Sequence, residues 1–306
     1  MFARRHPVLF TLIVLSGITT VMLLGTGLLA AWVIQGLGWQ DGLASDEPRV
    51  GVVEVIGPIA ESQEVLQQLK DYRDDEVVKA VVVRIDSPGG AVGPSQEIFR
   101  EIRRTAESKK VIASMGSVAA SGGYYIASAS DGIVANPGTI TGSIGVIMGY
   151  TNFEELLRKI GLAPVVIKSG EYKDMGSPVR PMQPAEQALL TQLAEDIHTQ
   201  FIEDVAKGRN LDLQELRNLA DGRIFTGKQA AALGLVDRMG NFADAVEWAG
   251  RLGGIEGKIE VVYPPEKRLD WWEHLTEMTT RLLAGVLTQS GLKADFRMPA
   301  ETDYKF

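Results

Sequence analysis

The 306-residue sequence predicts an α/β domain built on a largely parallel sheet. Three observations lead to this fold class. Short runs of β-branched and apolar residues alternate with stretches whose apolar residues recur at helical spacing. Turns of small residues, among them SPGG and ASGG, follow the apolar runs, as expected where buried strands lead into helices. Hydrophobic residues make up 45% of the composition, which is enough to bury a core in one large or two modest domains.

The first segment is predicted to be a membrane anchor. From Val8 to Leu37 the chain carries no charged residue, and a helix of about 20 apolar residues already spans a bilayer. Arg4 and Arg5 precede this run, so the positive-inside tendency puts the N-terminus in the cytoplasm and the rest of the chain on the periplasmic or extracytoplasmic side. A cleaved signal peptide is the alternative, although its apolar region is usually only about 7–15 residues long. We therefore assign residues 1–45 to the cytoplasmic N-terminus, a single transmembrane helix and a linker.

Residues 46–262 are predicted to form the α/β domain, in which strands and helices alternate. The order begins with strand 49–57, helix 61–75, strand 77–86, helix 94–108, strand 110–115, a helix that opens near Ser121, strand 132–136, an extended run at 139–149 and, after FEELLRKIG, strand 163–169. A Pro- and Gly-rich loop at 170–184 follows, and then helices 185–207, 212–220, 226–234 and 241–252 and a late strand at 258–264.

The C-terminal segment, residues 263–306, contains an amphipathic helix pattern at 268–290. We interpret this pattern as a packed C-terminal helix. An oligomerisation arm or a helix lying on a membrane surface is the alternative.

Composition excludes several classes of function. The net charge of -8 and the lack of a sustained Lys/Arg cluster argue against a nucleic-acid partner. The chain has no cysteine, which excludes disulfides, thiolate nucleophiles and cysteine zinc sites. His6, His198 and His274 lie far apart and outside metal-binding spacings, so neither a histidine-centred site nor a metal is expected. GRIFTGKQ at 222–229 has the spacing of a phosphate-binding loop, but it ends in Gln229 and follows a helical segment, so we discount nucleotide binding.

Ser121 is the candidate nucleophile, in the string GSVAASGGYYIAS. A turn from a strand into a helix can hold one side chain at the sheet edge beside free backbone N–H groups. The alternative is that the small residues only allow the helix to pack closely on the sheet. DSPGG forms a second such turn, in which Gly89 or Gly90 can aim an amide at a bound oxygen because no Cβ intervenes.

Lys173 is the candidate base. A serine hydroxyl is a weak nucleophile until a base takes its proton, and a partly desolvated lysine can do this where no histidine is available. Lys173 lies in the crowded loop SGEYKDMGSP, whereas Lys70 and Lys79 have the sequence context of solvated positions. Most lysines are solvated, so composition alone does not select Lys173.

Five strings in order resemble the signal peptide peptidase SppA family: DSPGG, SMGSVAASGGYYIAS, VANPGTITGSIG, SGEYKDMGSP and DGRIFTGKQAAALGLVD. The resemblance covers about residues 50–250, and nothing is carried over beyond residue 263. It implies a membrane-anchored serine-lysine peptidase with a fold similar to the Clp protease and crotonase superfamily, a repeated β-β-α superhelix. One copy of the domain is present, as in the short form of the family.

The resemblance also implies a role for individual residues. They are the nucleophile Ser121, the general base Lys173, the lysine-positioning Ser143, and the oxyanion donors Gly89 or Gly90 together with Gly122. Short family members assemble into homo-oligomeric rings, so Lys173 can serve either its own Ser121 or that of the next chain.

The expected activity is cleavage of remnant signal peptides and other unfolded apolar peptides outside the cytoplasm, without a cofactor. Two alternatives stay open. A catalytically silent membrane-anchored ring scaffold would keep the assembly without the chemistry. A crotonase-like acyl-CoA enzyme would share the glycine-amide oxyanion hole, but export separates the domain from cytosolic acyl-CoA, and such enzymes lack the serine-lysine pair.

Overall fold

The computed structural model describes residues 6–36 and 47–265, and within the first range it describes only some of the side chains. The chain divides into a unit of residues 1–262 and a unit of residues 263–306, and the fold below is that of the first unit. The predicted helix at 268–290 lies outside the described residues.

The apolar N-terminal segment is helical, as the sequence predicts. Helix α1 spans Pro7–Gly36, a length of 30 residues. The hydroxyls of Thr19, Thr20 and Thr26 donate to carbonyls one turn earlier at 2.8, 2.8 and 2.9 Å, so these polar atoms are satisfied within the helix. Among the residues whose side chains are described, no helix reaches the length and apolar character required to cross a membrane. The anchor therefore stays a prediction.

Strands and helices alternate through residues 49–262 in nearly the predicted order. They are β1 (Arg49–Ile56), α2 (Gln63–Asp74), β2 (Val78–Ser87), α3 (Val92–Ala106), β3 (Lys110–Ala120), α4 (Gly122–Ala127), β4 (Gly132–Ala135), β5 (Ile140–Gly142), α5 (Glu154–Lys159), α6 (Pro184–Arg209), α7 (Leu213–Leu219), β6 (Ile224–Thr226), α8 (Gly227–Ala232), β7 (Arg238–Met239), α9 (Phe242–Leu252) and β8 (Glu260–Val262).

The described strands form one sheet in the order β6-β5-β3-β2-β1-β8. The pairings of β1, β2, β3 and β8 are parallel, and only β5 with β6 is antiparallel. One edge of β3 serves two strands, since its first half pairs with β4 and its last residues pair with β5. Strand β4 in turn pairs with β7. A mixed α/β fold with a mainly parallel sheet confirms the predicted fold class.

The sheet is buried on both faces, which explains why the central strands are almost continuously apolar. Val53 and Val81 point into the larger core, which is completed by α2, α3, α4 and α6. Val52 and Val82 point to the opposite face, where α9 covers them. Alternate residues of one strand therefore serve two cores.

The pairing of β3 with β2 shifts register near the carboxyl end of β3. Ile85 pairs with Met115, but Ser87 pairs with Ala119, so β3 carries extra residues opposite β2. The side chain of Asp86 fills the gap, because its Oδ1 accepts the N–H of Val118 at 3.0 Å. The carboxyl end of β3 is thereby held in place just before Ser121.

The predicted strand at 163–169 is wrong. Residues 162–168 have no regular secondary structure, and the side chains of Val165 and Ile167 are 85% and 96% exposed. A strand requires a hydrogen-bonding neighbour, and the described part of this chain supplies none here. The predicted extended run at 139–149 is likewise shorter, since only Ile140–Gly142 is a strand.

Candidate active site

Ser121 lies at the junction that the sequence predicts, between β3 and α4. Its backbone has φ 53° and ψ -123°, a conformation that costs a non-glycine residue free energy. The junction is fixed on both sides, because the Ser121 N–H donates to Gly142 O at 2.8 Å and its carbonyl accepts the Tyr125 N–H at 2.8 Å. The Ser121 side chain makes no capping hydrogen bond to α4. The hydroxyl is therefore held at a sharp strand-to-helix turn without being committed to the helix.

The DSPGG turn packs directly against this junction. A Cβ placed on Gly122 would lie 3.3 Å from the Gly90 amide nitrogen and 2.6 Å from Ser95 Oγ. A Cβ on Gly89, whose φ is 98°, would lie 2.6 Å from the Gly122 nitrogen and 2.8 Å from the Ser121 Cβ. Only glycines allow the two backbones to approach this closely.

The amides of the two turn glycines differ. The N–H of Gly89 donates to Ser87 Oγ at 3.1 Å in a buried position, so it is already used. Gly90 borders the cavity beside Ser121, whereas Gly89 does not. Of the two glycines that the sequence leaves open, the geometry favours Gly90 as the partner of Gly122.

A cavity of 510 Å³ opens over Ser121. The polar side chains of its wall include Ser95, Gln96, Ser143 and His198. The apolar side chains include Val92, Val146, Ile147, Ile197 and Phe201. Gly122 and Tyr125 also border the cavity. A pocket with a mainly apolar wall and a few convergent polar groups is typical of a substrate site.

Ser143 shares the cavity with Ser121, as expected from the resemblance. Its backbone is also strained, with φ 52°, and its N–H donates to Arg223 O at 2.8 Å. Asp221, also in the cavity wall, accepts three hydrogen bonds from the Arg223 side chain and one from its backbone N–H. The Arg223 guanidinium first and the backbone N–H second hold the pKa of the Asp221 carboxyl at about 2. The wall therefore carries a fixed carboxylate above that pH.

Lys173 is not brought to Ser121 within one chain. Its side chain is exposed, and it does not border the cavity. It lies in a turn in which its N–H donates to Gly170 O at 3.2 Å. The roles of Ser121, Lys173, Ser143 and the oxyanion glycines stay predictions.

Tyr125, His198 and Phe201 are among the cavity residues that the sequence did not single out as site residues. The rings of Tyr125 and Phe201 meet edge to face at a centroid distance of 4.8 Å. Burial, and then a hydrogen bond to Asp204, raises the pKa of the Tyr125 hydroxyl far above its ordinary value, so it stays protonated. The Nε2 of His198 is buried without a hydrogen-bond partner among the described residues. The helical periodicity of α6 puts His198 and Phe201 on one face, but periodicity does not indicate that this face borders a cavity.

Several proteins with similar sequences are named proteases. The sequence model of Peptidase family S49 matches residues 103–256. A Synechocystis sp. protein, provisionally named a protease, is 45% identical over 243 residues, covering 79% of this chain and 85% of its own. A protein of Enterococcus faecium, provisionally named signal peptide peptidase SppA, is 41% identical over 189 residues, with coverage of 60% and 54%. The chloroplastic serine protease SPPA of Arabidopsis thaliana is 35% identical over 231 residues, with coverage of 73% and 34%.

The chain thus spans most of the first of these relatives but only about half and a third of the other two. The match of the family model extends over half of the chain and includes the strand-to-helix junction at Ser121 and the turn at Lys173. The chain belongs to Peptidase family S49.

Proposed function

We propose that this chain is a membrane-anchored serine endopeptidase that degrades remnant signal peptides and other unfolded apolar peptides outside the cytoplasm. Ser121 is the nucleophile and Lys173 is the general base. The observation that carries the proposal is the strained Ser121 at the floor of a cavity, next to the glycine amides of two neighbouring turns.

The chemistry follows from this arrangement. Lys173 takes the proton of the Ser121 hydroxyl as its oxygen attacks the scissile carbonyl. The N–H groups of Gly90 and Gly122 stabilise the negative charge that develops on the carbonyl oxygen. The lysine then gives its proton to the leaving amine, and water, activated by the same base, hydrolyses the acyl-enzyme. Ser143, in the same cavity, accepts a hydrogen bond from the lysine and orients it.

A second copy of the chain supplies the lysine. Two observations support this part of the proposal. Lys173 does not border the cavity of its own chain. The segment that leads to it exposes large apolar side chains, among them Val165 at 85% and Ile167 at 96%, and an exposed apolar surface of this kind is typical of an interface. Assembly into a ring would cover these side chains and complete the site.

The cavity also supports the substrate class. Val92, Ile147 and Phe201 offer an apolar surface to a substrate side chain, which suits the hydrophobic segments of signal peptides. The uncharged helix α1 would tether the domain at the membrane where such peptides are released.

The test is a mixing experiment on purified full-length chains. Ser121→Ala and Lys173→Ala are each expected to abolish hydrolysis of a fluorogenic apolar peptide while the assembly stays intact. Mixed particles are expected to regain activity, because one chain supplies the serine and its neighbour supplies the lysine. Full activity in either single variant would disprove the proposed pair. A wild-type chain that assembles but hydrolyses none of a series of apolar peptides would point to the silent scaffold.

A further inference from the structure

Arg180 is the centre of a charged network beside the predicted base. Its Nε donates to Asp174 Oδ2 at 2.8 Å, and its second terminal nitrogen donates to Asp174 Oδ1 at 2.9 Å and to the backbone carbonyl of Asp174 at 3.0 Å. Asp174 directly follows Lys173. Arg180 therefore holds both the side chain and the backbone of the residue next to the lysine.

The same guanidinium ties this turn to the first turn of α6. Both terminal nitrogens of Arg180 donate to Glu186, at 2.9 and 2.5 Å, and Glu186 also accepts the N–H of Gln183 at 2.9 Å. Lys168 completes the network, since its Nζ donates to Asp174 Oδ1 at 2.7 Å. Only a planar fork of N–H groups can serve two carboxylates and a carbonyl at once.

The two carboxylates of the network are shielded from solvent, although the loop around them is exposed. Glu186 is 2% exposed, and the side chain of Asp174 is 13% exposed. Arg180 and then the Gln183 N–H hold the pKa of Glu186 at about 2, and Arg180 and Lys168 hold the pKa of Asp174 far below its ordinary range. Both carboxylates are therefore charged at neutral pH, and the hydrogen bonds of Arg180 to them are charge-assisted.

The helix at the other end of the network borders the cavity. Residues Ile197, His198 and Phe201 of α6 line the pocket above Ser121. By contrast, residues 162–168 just before the lysine turn have no regular secondary structure. The Arg180 network therefore ties the lysine turn to the first turn of α6.

We propose that Arg180, with Asp174 and Glu186, is a positioning residue for Lys173. The inference rests on the proposed function, in which Lys173 is the general base. Loss of the fork would remove the side-chain link between the lysine turn and the first turn of α6. Because a displacement of about 1 Å in a catalytic group can reduce the rate by about 10²-fold, kcat should fall while substrate binding in the cavity is retained.

The first measurement is kcat and KM of homomeric variants on a fluorogenic apolar peptide. Arg180→Gln is expected to lower kcat at least about 10-fold and to leave KM within about twofold. Arg180→Lys should recover part of the loss, since it keeps the charge but not the fork. Arg251→Gln is the matched control, because Arg251 makes a similar two-nitrogen contact to Glu247 on the remote helix α9. A full rate in Arg180→Gln would overturn the proposal and leave the Ser121 and Lys173 assignments standing.

The second measurement separates positioning from general damage. In mixed particles, Ser121→Ala chains supply the lysine and Lys173→Ala chains supply the serine. Arg180→Gln in the lysine-supplying chain should lower the regained activity at least about 10-fold, whereas in the serine-supplying chain it should leave that activity unchanged. If Arg180→Gln lowers the regained activity equally in the lysine-supplying and the serine-supplying chain, the proposal is overturned, because a purely structural role would affect both chains alike.

Two further outcomes are decisive. If the mixture of Ser121→Ala and Lys173→Ala chains regains no activity, the dyad lies within one chain. The role of Arg180 is then decided by the comparison of kcat and KM alone. If Lys173→Ala is itself fully active, the proposed function fails whatever Arg180 does. Should Arg180→Gln fail to fold, Asp174→Asn takes its place, because it keeps the side-chain shape, and an unchanged kcat in Asp174→Asn would overturn the proposal.

Discussion

Replacing Ser121 with glycine should make the protein more stable and inactive at once. The φ of 53° and ψ of -123° put an L-residue in a sparsely populated region that costs about 1–3 kcal/mol, and glycine adopts positive φ without most of that cost. Glycine also widens the unfolded ensemble, which offsets about 0.4–1 kcal/mol of the gain. Little else is lost, because the Ser121 side chain makes no capping hydrogen bond. The net expectation is a gain of about 1 kcal/mol in the free energy of unfolding.

Scanning calorimetry of the full-length chain measures this gain. For a domain of 150–250 residues, 1 kcal/mol corresponds to a rise in Tm of about 2–4 °C. Ser121→Ala is the matched control, since alanine removes the hydroxyl but keeps the Cβ and hence the strain. Both variants should be inactive against the fluorogenic peptide, yet only Ser121→Gly should gain stability.

A second control is Asn210, which ends α6 in the left-handed region at φ 50° and ψ 44°. Asparagine tolerates this region well, so Asn210→Gly should gain less than Ser121→Gly. If Ser121→Gly melts at or below the temperature of Ser121→Ala, the backbone at the proposed nucleophile stores no strain that glycine relieves.

Four further predictions follow from the same contacts. Gly122→Ala should lower kcat about 10²-fold in steady-state assays, because the added Cβ would meet Ser95 Oγ at 2.6 Å and separate the oxyanion donors. Adding Ser95→Gly to this variant should recover part of the rate. Acidification from about pH 5 to about pH 2.5 should lower Tm more in the wild type than in Glu186→Gln. The pKa of Glu186 in the folded state is depressed to about 2, so the stabilisation by its carboxylate is complete above the ordinary pKa of 4.5 and is lost as the pH falls towards 2. Equal falls in Tm in the two proteins would refute this prediction. His198→Leu should change the ratio of KM values for peptides with polar and apolar side chains at matched positions, because it removes the unpaired Nε2 from the cavity wall, and an unchanged ratio would exclude contact with substrate. Ile167→Asp should lower the assembled mass in light scattering and keep the far-UV circular dichroism, since the side chain is 96% exposed in the single chain.

The central sheet could be predicted because burial on both faces leaves a strong mark in the sequence. The run VVKAVVVRID is apolar at nearly every position, and the strand Val78–Ser87 that it forms serves a core on each side. The junction at Ser121 was predicted for a related reason, since small residues after an apolar run indicate a close approach of backbones. Both signals are local, and they reflect contacts made within one chain.

The choice between Gly89 and Gly90 could not be made from the sequence. Both lie in the same turn, and the difference depends on where the hydroxyl of Ser87 points. The same holds for His198, whose position on α6 is ordinary until the helix is seen to border the cavity. Side-chain direction and the packing of distant elements determine these features, and neither has a periodic signature.

The error at residues 163–169 is of another kind. The pattern APVVIK is typical of a strand, yet its residues are exposed and none of the described strands pairs with them. A neighbouring copy of the chain would explain two features together. It would pair with the strand-like segment 163–169, and it would bring Lys173 to Ser121. On this reasoning a catalytic centre assembled from two chains links peptidase activity to assembly. An isolated chain would then hold the strained nucleophile and its amides without the group that takes the proton, and its activity should rise with protein concentration until assembly is complete.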